Sequence, residues 1–521
     1  MTRRAAGIFL WATAGISVNR VSPAIFARIS FKAATQIKRT FELNEEQIMI
    51  TSTLARNSTL ALLLLLSACG GGGGGGGTSG DSTSALNLID WTWVSGNDSF
   101  GQPGNYGTKL VPASTNMPQA LEGPMSWVDA SNNLWLFGGA ADLGVGFNDL
   151  WKYDTINKQW TWMNGDATAN QLSNYITKGT ANPVDASGPG SREYSATWTD
   201  SSNNLWLFGG FVRINVGGNT AYANDLWKYD TNSRQWTWVN GSNLVDQTGN
   251  YGFKGTPDAN NVPGARWVGT YWTDSGAFWL FGGIGFDSGG LKGNLSDLWK
   301  YNPTNNQWTW MSGPSTINQP GNYGSKGVAD VASIPGARSG AVSWSKNGSL
   351  WLFGGSDQNG GIFNDLWKYD TLTSQWTWMG GSNVIDQAGS YGSPGIASPN
   401  NLPGSRRFGV SWKDSSGNFW LFGGQGFDSA GNFGELNDLW KYDTTTNQWT
   451  WMSGSKIKDQ AGEYGTMINS DPAKFVPGSR DVAVSWYDSN GRYWLFGGQG
   501  CDVYGFCGGY LNDLWQFQPK P

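Results

Sequence analysis

The feature that most constrains the fold is a sequence repeat that occurs six times along the chain. Each copy contains Trp-Leu-Phe-Gly-Gly, then Asn/Ser-Asp-Leu-Trp, and usually Gln-Trp-Thr-Trp. A repeat of this regularity indicates a stacked or circular array rather than two or three unrelated domains. The phenylalanines of the first motif, which are 69 to 74 residues apart, are Phe137, Phe208, Phe281, Phe353, Phe422 and Phe496.

Each repeat divides into four short aromatic or apolar segments that are separated by turns. In the fourth copy we predict strands at 339–344, 350–354, 365–369 and 375–379. The first two are joined by Lys346-Asn347-Gly348, and an Asn-Gly pair between apolar runs is a hairpin signal. Abundant glycine (76 residues) and 14% aromatic residues also suit short strands with tight turns. Four antiparallel strands repeated around an axis predict an all-β, six-bladed β-propeller.

The two ends of the repeat region complement each other. A Trp-Thr-Trp segment, Trp91–Trp93, precedes the first Gly-Gly motif, whereas the last repeat ends near Phe517 without one. We therefore expect Trp91–Trp93 to become the outermost strand of the last blade, which closes the ring and removes an open edge. The propeller is predicted to occupy residues 89–521.

These motifs resemble those of the kelch repeat, which also occurs in the galactose oxidase propeller. The resemblance rests on the Gly-Gly pairs, on a downstream Trp-x-Tyr such as Trp367/Tyr369, and on the later Trp; the last repeat departs with Trp515/Phe517. It covers residues 90–518. It implies the propeller fold strongly and says little about function.

The lengths of the connections differ strongly around each repeat. From the end of each Trp-Thr-Trp to the arginine of the next Pro-Gly-Ala/Ser-Arg, just before the first strand, there are 27 to 29 residues, whereas the other turns are short. Because strand direction alternates, the long loops are predicted to gather at one face of the propeller. Loops on a rigid scaffold often carry binding sites, so this long-loop face is the candidate site.

Two recurrent features of the long loops are candidate ligand contacts. The kelch resemblance implies that arginines at this position line the channel mouth, where guanidinium groups bind an acidic sugar or a carboxylate. Loop tyrosines in Gln-x-Gly-Asn-Tyr-Gly stack on sugar rings in the same interpretation. The alternative is structural: each arginine ties its own loop to backbone carbonyls, and each tyrosine packs its loop against a neighbour. The candidates are Arg192, Arg266, Arg338, Arg406, Arg480, Tyr106, Tyr251 and Tyr323, with Leu121 in place of arginine in the first blade.

Other repeated residues have structural explanations. The two rings of each Trp-Thr-Trp point to one side of a strand, so we expect them to fill the gaps between adjacent sheets rather than to bind sugar. The aspartate of Asp-Leu-Trp is predicted to be a turn residue at the start of a strand. Loops such as Asp428–Asn432 contain oxygen ligands without the spacing of an EF-hand, so no metal site is predicted.

Composition excludes several classes of function. The chain has no histidine, which excludes a Ser-His-Asp triad, a Cys-His nucleophile and any His-ligated metal site. Only 3 of the acidic residues but 8 of the basic ones precede Cys69, so the rest carries 36 acidic and 26 basic residues. This negative balance argues against nucleic acid or an anionic membrane surface as a partner.

The N-terminal region reads as an export signal. An apolar run at 60–66 is followed by Ser67-Ala68-Cys69 and a glycine tract. Leu66-Ser67-Ala68-Cys69 resembles the lipobox of bacterial lipoproteins, which implies a signal peptide at 49–68 and a lipidated Cys69 with a tether at 69–88. Gly70, in place of the aspartate that family associates with inner-membrane retention, implies the outer membrane, on its periplasmic side or at the cell surface. Residues 1–48 are predicted to be an over-extended gene start; the alternative is a genuine extension.

The two remaining cysteines, Cys501 and Cys507, flank five residues of the last repeat. In an oxidising compartment this pair is predicted to form a local disulfide. The alternatives are two reduced thiols or a two-ligand metal site, which nothing nearby would complete.

Two functions remain open. The first is a monomeric, non-catalytic binding or scaffold lipoprotein that needs no cofactor and recognises a protein or a glycan through the long-loop face. The second, implied by resemblance to bacterial sialic-acid mutarotases, is a kelch-type sugar isomerase that acts on an acidic sugar with carboxylates, arginine and water. The copper chemistry of galactose oxidase needs histidine ligands, so it is not supported.

Overall fold

The computed structural model describes residues 89–141, 144–465 and 475–519. The predicted gene-start extension, signal peptide, Cys69 and tether lie outside these residues. The described residues form 28 strands in six sheets and contain no α-helix. Among them there is accordingly no helix that could span a bilayer.

Each sheet is one blade with antiparallel neighbours, and in several blades the inner strand is preceded by a two-residue strand. Blade 1 contains β2 (Met125–Val128), β3 (Leu134–Ala141), β4 (Val145–Asp154) and β5 (Gln159–Asn164). Blade 2 contains β6 (Arg192–Glu193), β7 (Ala196–Thr199), β8 (Leu205–Arg213), β9 (Thr220–Asp230) and β10 (Gln235–Asn240). Blade 3 contains β11 (Arg266–Trp267), β12 (Thr270–Asp274), β13 (Ala277–Phe286), β14 (Lys292–Asn302) and β15 (Gln307–Ser312).

The second half of the propeller repeats this order. Blade 4 contains β16 (Val342–Lys346), β17 (Ser349–Phe353), β18 (Leu366–Asp370) and β19 (Gln375–Gly380). Blade 5 contains β20 (Arg406–Arg407), β21 (Val410–Lys413), β22 (Phe419–Phe427), β23 (Phe433–Asp443) and β24 (Gln448–Ser453). Blade 6 contains β25 (Arg480–Asp481), β26 (Val484–Tyr487), β27 (Tyr493–Cys501), β28 (Cys507–Pro519) and β1 (Ile89–Ser95). The six-bladed, four-stranded prediction is confirmed.

The ring closes through β1, as the sequence predicts. Trp91 pairs with Phe517 and Trp93 with Trp515, so β1 is the outermost strand of blade 6. Blade 6 also contacts blade 1 at the inner strands, where the Trp486 indole donates to the Trp135 carbonyl at 3.2 Å. β1 therefore supplies the outermost strand of blade 6, and the edge that would otherwise be open is paired.

The Gly-Gly pair is the joint between neighbouring blades. Both glycines have positive φ, for example 69° at Gly354 and 93° at Gly355. The Gly355 amide donates to the Arg406 carbonyl of the next blade at 2.9 Å, and a Cβ at Gly354 would lie 2.4 Å from that carbonyl oxygen. Only glycine combines this backbone conformation with such a close approach, which explains the motif in every repeat.

The core lies between the blades. The first Trp of each Trp-Thr-Trp packs on the Phe of the preceding blade's Gly-Gly strand, with ring centroids 5.1 to 5.7 Å apart. These indoles are almost fully buried, so the prediction that they fill the wedge-shaped gaps agrees with the structure. The pairs are Trp91–Phe422, Trp160–Phe496, Trp236–Phe137, Trp308–Phe208, Trp376–Phe281 and Trp449–Phe353.

The long loops begin and end at one face, but their course differs from the prediction that they simply gather there. The long loops that lead into blades 1 to 5, which the structure describes throughout, descend along the outermost strand of the blade they enter: the Leu110 amide donates to the Trp162 carbonyl at 2.8 Å, and Ala113 forms a bridge with Trp160. Loops in the following blades form the same kind of bridge, as at Asp330–Trp376. The middle of each such loop covers the outer edge of a sheet, where unpaired backbone groups would otherwise be exposed. The length of a loop does not predict this course, because the carbonyls that accept its hydrogen bonds belong to another repeat.

Candidate ligand-binding site

The five repeated arginines lie inside their blades, where they are 0 to 2% exposed. In blade 4, Arg338 Nη1 donates to Asp365 Oδ1 at 2.6 Å and Nη2 donates to Oδ2 at 2.9 Å. Its Nε and Nη1 also donate to the carbonyls of Gly336 and Gly354. The other pairs are Arg192–Asp225, Arg266–Asp297, Arg406–Asp438 and Arg480–Asp513.

This geometry ties the end of each long loop to a strand of the same blade. Burial alone would lower the pKa of Arg338, but the neighbouring Asp365 outweighs it and raises that pKa, so the guanidinium stays charged. Because each fork is filled by a carboxylate, the five arginines offer no free bidentate site to a ligand. The arrangement matches the structural alternative that the sequence left open.

The loop tyrosines join the same clusters. The hydroxyl of Tyr323 donates to Asp365 Oδ2 at 2.7 Å, and its ring lies 5.0 Å from Trp367 and 5.1 Å from Trp378. Tyr251 donates to Asp297 in the same way at 2.6 Å. Burial, and then the aspartate, raise the pKa of Tyr323 above its usual value. These tyrosines pack their loops against the next blade, which is again the structural alternative.

The aspartate of each Asp-Leu-Trp is the centre of the cluster, a role that the sequence analysis missed. Asp365 accepts from Arg338, Tyr323 and the Trp367 indole, and it is fully buried. The sequence analysis treated this aspartate as a turn residue. Its recurrence together with an arginine in the same repeat was the available signal, because a buried carboxylate needs a charged partner.

Blade 1 departs from this pattern because Leu121 replaces the arginine. Asp149 is buried and accepts from the Tyr106 hydroxyl at 2.7 Å and the Trp151 indole at 2.7 Å. Its Oδ1 has no hydrogen-bond partner among the described residues. Burial raises the pKa of Asp149, against the lowering effect of its hydrogen bonds. Tyr106, a predicted ligand contact, therefore belongs to the same kind of cluster, but to one in which no arginine lies beside the aspartate.

The residues that do reach the channel axis follow the arginines. Directly after each arginine, or after Leu121, comes a residue that changes around the ring, except that blades 1 and 2 both have glutamate. The next residue has positive φ and lies at the axis. We call the second set the collar, and it consists of Gly123, Tyr194, Val268, Gly340, Phe408 and Val482. We call the first set the mouth residues, and they are Glu122, Glu193, Trp267, Ser339, Arg407 and Asp481.

The collar closes the channel with a ring of backbone hydrogen bonds. Each collar amide donates to the collar carbonyl of the preceding blade, and Gly123 completes the circle by donating to Val482, with distances of 2.8 to 3.3 Å. Tyr194 and Phe408 reach towards each other across the axis, with centroids 6.3 Å apart. A Cβ at Gly123 would lie 2.7 Å from the Tyr194 ring, so glycine at this position leaves room for the Tyr194 side chain at the axis.

Below the collar, the inner strands surround a cavity of about 520 Å³. Hydroxyl groups from these strands link neighbouring blades: Ser411 donates to the Ser343 carbonyl at 3.0 Å, and Ser485 donates to the Ser411 carbonyl at 3.2 Å. The collar therefore separates the mouth on the long-loop face from this polar cavity.

The mouth is rich in carboxyl groups. Glu122 accepts from the Tyr194 hydroxyl at 3.1 Å, and Glu193 lies 3.4 Å from Arg213. Burial raises the pKa of Glu193 to about 7, although Arg213 acts in the opposite direction. Such a carboxyl titrates near neutral pH, far above its usual range.

The boundary between blades 5 and 6 brings two further carboxyl groups together. Glu435 accepts from Gln425 at 3.0 Å, and Gln425 accepts from Arg407 at 2.7 Å. Burial raises the pKa of Glu435 to about 7. Burial and then the neighbouring Glu435 raise the pKa of Asp481 well above its usual value. Within the described residues, Glu435 Oε2 and Asp481 Oδ1 have no hydrogen-bond donor.

The boundary between blades 2 and 3 is aromatic instead. Phe211 lies 5.0 Å from Trp267 with an interplanar angle of 28°, and Tyr222 lies 6.1 Å from Trp267 at 32°. Tyr194 and Phe286 extend the group at 5.3 and 5.9 Å from their nearest rings. We call these five side chains the aromatic patch; all are partly exposed.

The sequence analysis missed the mouth residues and the aromatic patch because it looked for residues that every repeat shares. The informative positions are instead those that vary between repeats. The position after the arginine and the position after Gly-Gly change in nearly every blade, while the surrounding motif stays constant. Constant positions build the scaffold, and the variable ones are free to fit a ligand.

The predicted disulfide is present between Cys501 and Cys507 and joins the ends of the β27–β28 turn. Asp459 lies near this pair. Since the sulfurs are bonded to each other, the group lacks thiolate ligands for a metal ion. In the Asp428 turn, Oδ1 accepts from the amides of Ala430 and Asn432, so that carboxylate caps its own loop.

A comparison with protein families recognises the repeat. Residues 337–377 match the family described as Kelch motif. The chain is a propeller with a Kelch motif. The solved structure named "Structure of YjhT" is similar at 15% sequence identity over 78% of this chain and 95% of that chain, with a TM-score of 0.46. No curated protein matches the sequence. A Kelch propeller suggests a binding or scaffold role, and the residues of a site must specify what is bound.

Proposed function

We propose that this protein is a non-catalytic binding module that recognises a protein or a glycan at the channel mouth, on the long-loop face. The observation that carries the proposal is the contrast between constant and variable positions around the ring. The arginine clusters repeat almost unchanged, whereas the mouth residues vary. They supply carboxyl groups in blades 1, 2 and 6, an indole in blade 3, a hydroxyl in blade 4 and a guanidinium in blade 5. Groups of varied chemistry at the ends of loops on a rigid ring are the usual form of a recognition surface, and Glu122, Trp267 and Arg407 are the partly exposed members of this set.

The charge at the mouth favours a ligand that is not an anion. Four carboxyl groups, those of Glu122, Glu193, Glu435 and Asp481, lie in this region, and the cations that act on them are Arg213, Arg407 and Lys458. The five arginines that would have bound an acidic sugar are already neutralised by buried aspartates. An anionic ligand would meet like charges in a partly desolvated site, which costs binding free energy.

One observation favours the second candidate, a sugar isomerase. Glu435 and Asp481 are neighbouring carboxyl groups with raised pKa values, and such a pair holds an acid and a base at the same pH. Both are almost fully buried, however, so a substrate would have to displace Arg407 or Gln425 to reach them. NMR line shapes of a reducing sugar with added protein would show faster anomer exchange, and Glu435→Gln would abolish it.

We also propose that the chain is exported and anchored to the outer membrane through a lipid on Cys69, with the propeller acting as a monomer. The motif around Cys69 and the disulfide Cys501–Cys507 support an oxidising, extracytoplasmic location. Metabolic labelling with a fatty acid should mark the wild-type protein and leave Cys69→Ser unlabelled. Equal labelling of both would contradict the anchor.

The binding proposal is tested by ligand capture on a mixed glycan array and by pull-down from an extract of the producing cells. We compare the wild-type protein with Arg407→Ala, which alters the mouth, and with Lys326→Ala as a control, because the exposed Lys326 lies against the outermost strand of blade 4 and donates to the Gly381 carbonyl. Retention of a ligand by the wild type and the control, with loss in Arg407→Ala, supports the mouth. Capture that is equal in all three proteins places the ligand elsewhere, and no capture at all refutes the binding role.

A further inference from the structure

The mouth is asymmetric, and its aromatic side suggests what kind of ligand it takes. The Trp267 ring is inclined by 28° to Phe211 and by 32° to Tyr222, while Phe211 and Tyr222 are inclined by 57° to each other. They come from two different blades, since Phe211 and Tyr222 lie in blade 2 and Trp267 lies in blade 3. At the nine corresponding positions of blades 4 to 6, one residue is aromatic; the nine are Ser339, Arg407, Asp481, Ser356, Gln425, Gln499, Ile362, Glu435 and Tyr510. The aromatic patch is thus a local feature and not part of the repeat.

Resting on the proposed function, we propose that the ligand is a neutral carbohydrate whose pyranose rings stack on the aromatic patch. The C–H faces of a sugar are apolar, and its rim consists of hydroxyl groups. Aromatic rings bury the apolar face at a low cost in side-chain entropy, and nearby acceptors bind the hydroxyl groups.

The polar groups beside the patch match hydroxyl donors. Glu193 and Glu122 adjoin the patch, and Tyr194 already donates to Glu122 Oε2 at 3.1 Å. Glu122 is partly exposed, whereas Glu193 is almost fully buried and is paired with Arg213 at 3.4 to 3.5 Å. An ionised carboxyl group only accepts hydrogen bonds, so a ligand that reaches Glu122 must bring O–H or N–H groups.

The charges around the patch disfavour both kinds of ionic ligand. The carboxyl groups disfavour an acidic sugar. On the other side, the exposed Lys292 holds its ammonium group 5.3 Å from the centre of the Tyr222 ring. A ligand ammonium would compete with this cation for the same ring face and would be repelled by it. A neutral polyol avoids both conflicts.

The test is isothermal titration calorimetry of the full-length protein with cellotetraose, maltotetraose, mannotetraose and chitotetraose as neutral probes. Sialyllactose is the anionic probe and a glucosamine tetramer the cationic one. We expect at least one neutral tetrasaccharide to bind more tightly than both charged probes. Truncation of a stacked indole in Trp267→Ala should weaken that binding by about tenfold or more.

Phe433→Ala is the control, because Phe433 is an exposed aromatic residue on the equivalent hairpin of blade 5 and contacts Phe427 at 5.5 Å. If Trp267→Ala unfolds, as circular dichroism would reveal, Tyr222→Leu replaces it. Unchanged affinity in the patch variants overturns the proposal, as does tighter binding of a charged probe. If no neutral sugar binds but pull-down recovers a protein partner through Arg407, the carbohydrate proposal fails while the binding role stands.

Discussion

The buried arginine–aspartate clusters allow a prediction about stability, and a different blade of the same chain supplies the control variant. In Asp365→Asn the carboxylate is replaced by a neutral amide of the same shape, while Arg338 stays fully buried beside it. Removing one partner of a buried ion pair costs about 3 to 5 kcal/mol, because the remaining charge has no compensation. The asparagine also points an amide group at a guanidinium that can only donate. We expect Asp365→Asn to lower the free energy of unfolding by about that amount.

Blade 1 supplies the matched control, since Asp149 occupies the same position without an arginine. Asp149→Asn leaves no buried cation behind, and its amide oxygen still accepts from the Trp151 indole. We expect a loss of about 1 kcal/mol or less. Both variants are compared with the wild type by urea unfolding, followed by circular dichroism. Equal losses in the two variants, or a larger loss in Asp149→Asn, would refute the argument that charge compensation governs these clusters.

Four further predictions follow from other contacts. Because folding raises the pKa of Glu193 to about 7, its contribution to stability is full below an unfolded pKa of about 4.5 and is lost as pH rises through about 7; Glu193→Gln should flatten that part of the stability–pH curve in urea titrations. Leu121→Arg should pair with Asp149 and raise the melting temperature at neutral pH; an unchanged or lower value would show that Leu121 is needed for packing. Gly354→Ala should cost at least about 2 kcal/mol because of its φ and the 2.4 Å approach to the Arg406 carbonyl, whereas Gly360→Ala, with open space around it, should cost about 1 kcal/mol. Reduction of Cys501–Cys507 should lower the free energy of unfolding by about 2 kcal/mol in chemical denaturation, and Cys501→Ser/Cys507→Ser should match the reduced protein.

The architecture was predictable because its determinants are local and repeated six times. In blade 4 the strands at 349–353 and 375–380 agree closely with the predicted segments. The inner strand begins at Val342, three residues later than predicted, because Gly340 is used for the collar. Donation of Trp91–Trp93 to the last blade followed from the unmatched ends of the repeat.

The site was harder to predict because its geometry depends on contacts between different blades. A buried Arg338 and a ligand-binding Arg338 have the same sequence signature, and only the position of Asp365 distinguishes them. Similarly, the pairing of Glu435 with Asp481 joins residues from blades 5 and 6. Repetition identified the scaffold, while the candidate recognition residues were hidden among the positions that repetition does not control.

The pairing of Ile89 with Pro519 has a consequence for how the chain could be rearranged. These two residues lie opposite each other on neighbouring strands, so a short peptide linker could join them without disturbing a blade. New termini could then be opened at the exposed turn after Asp370, where Leu372 is 93% exposed. Such a circular permutant would keep every contact between blades. Its first strand would be β19, which would close the ring by pairing with β18 in blade 4, as β1 now does by pairing with β28 in blade 6.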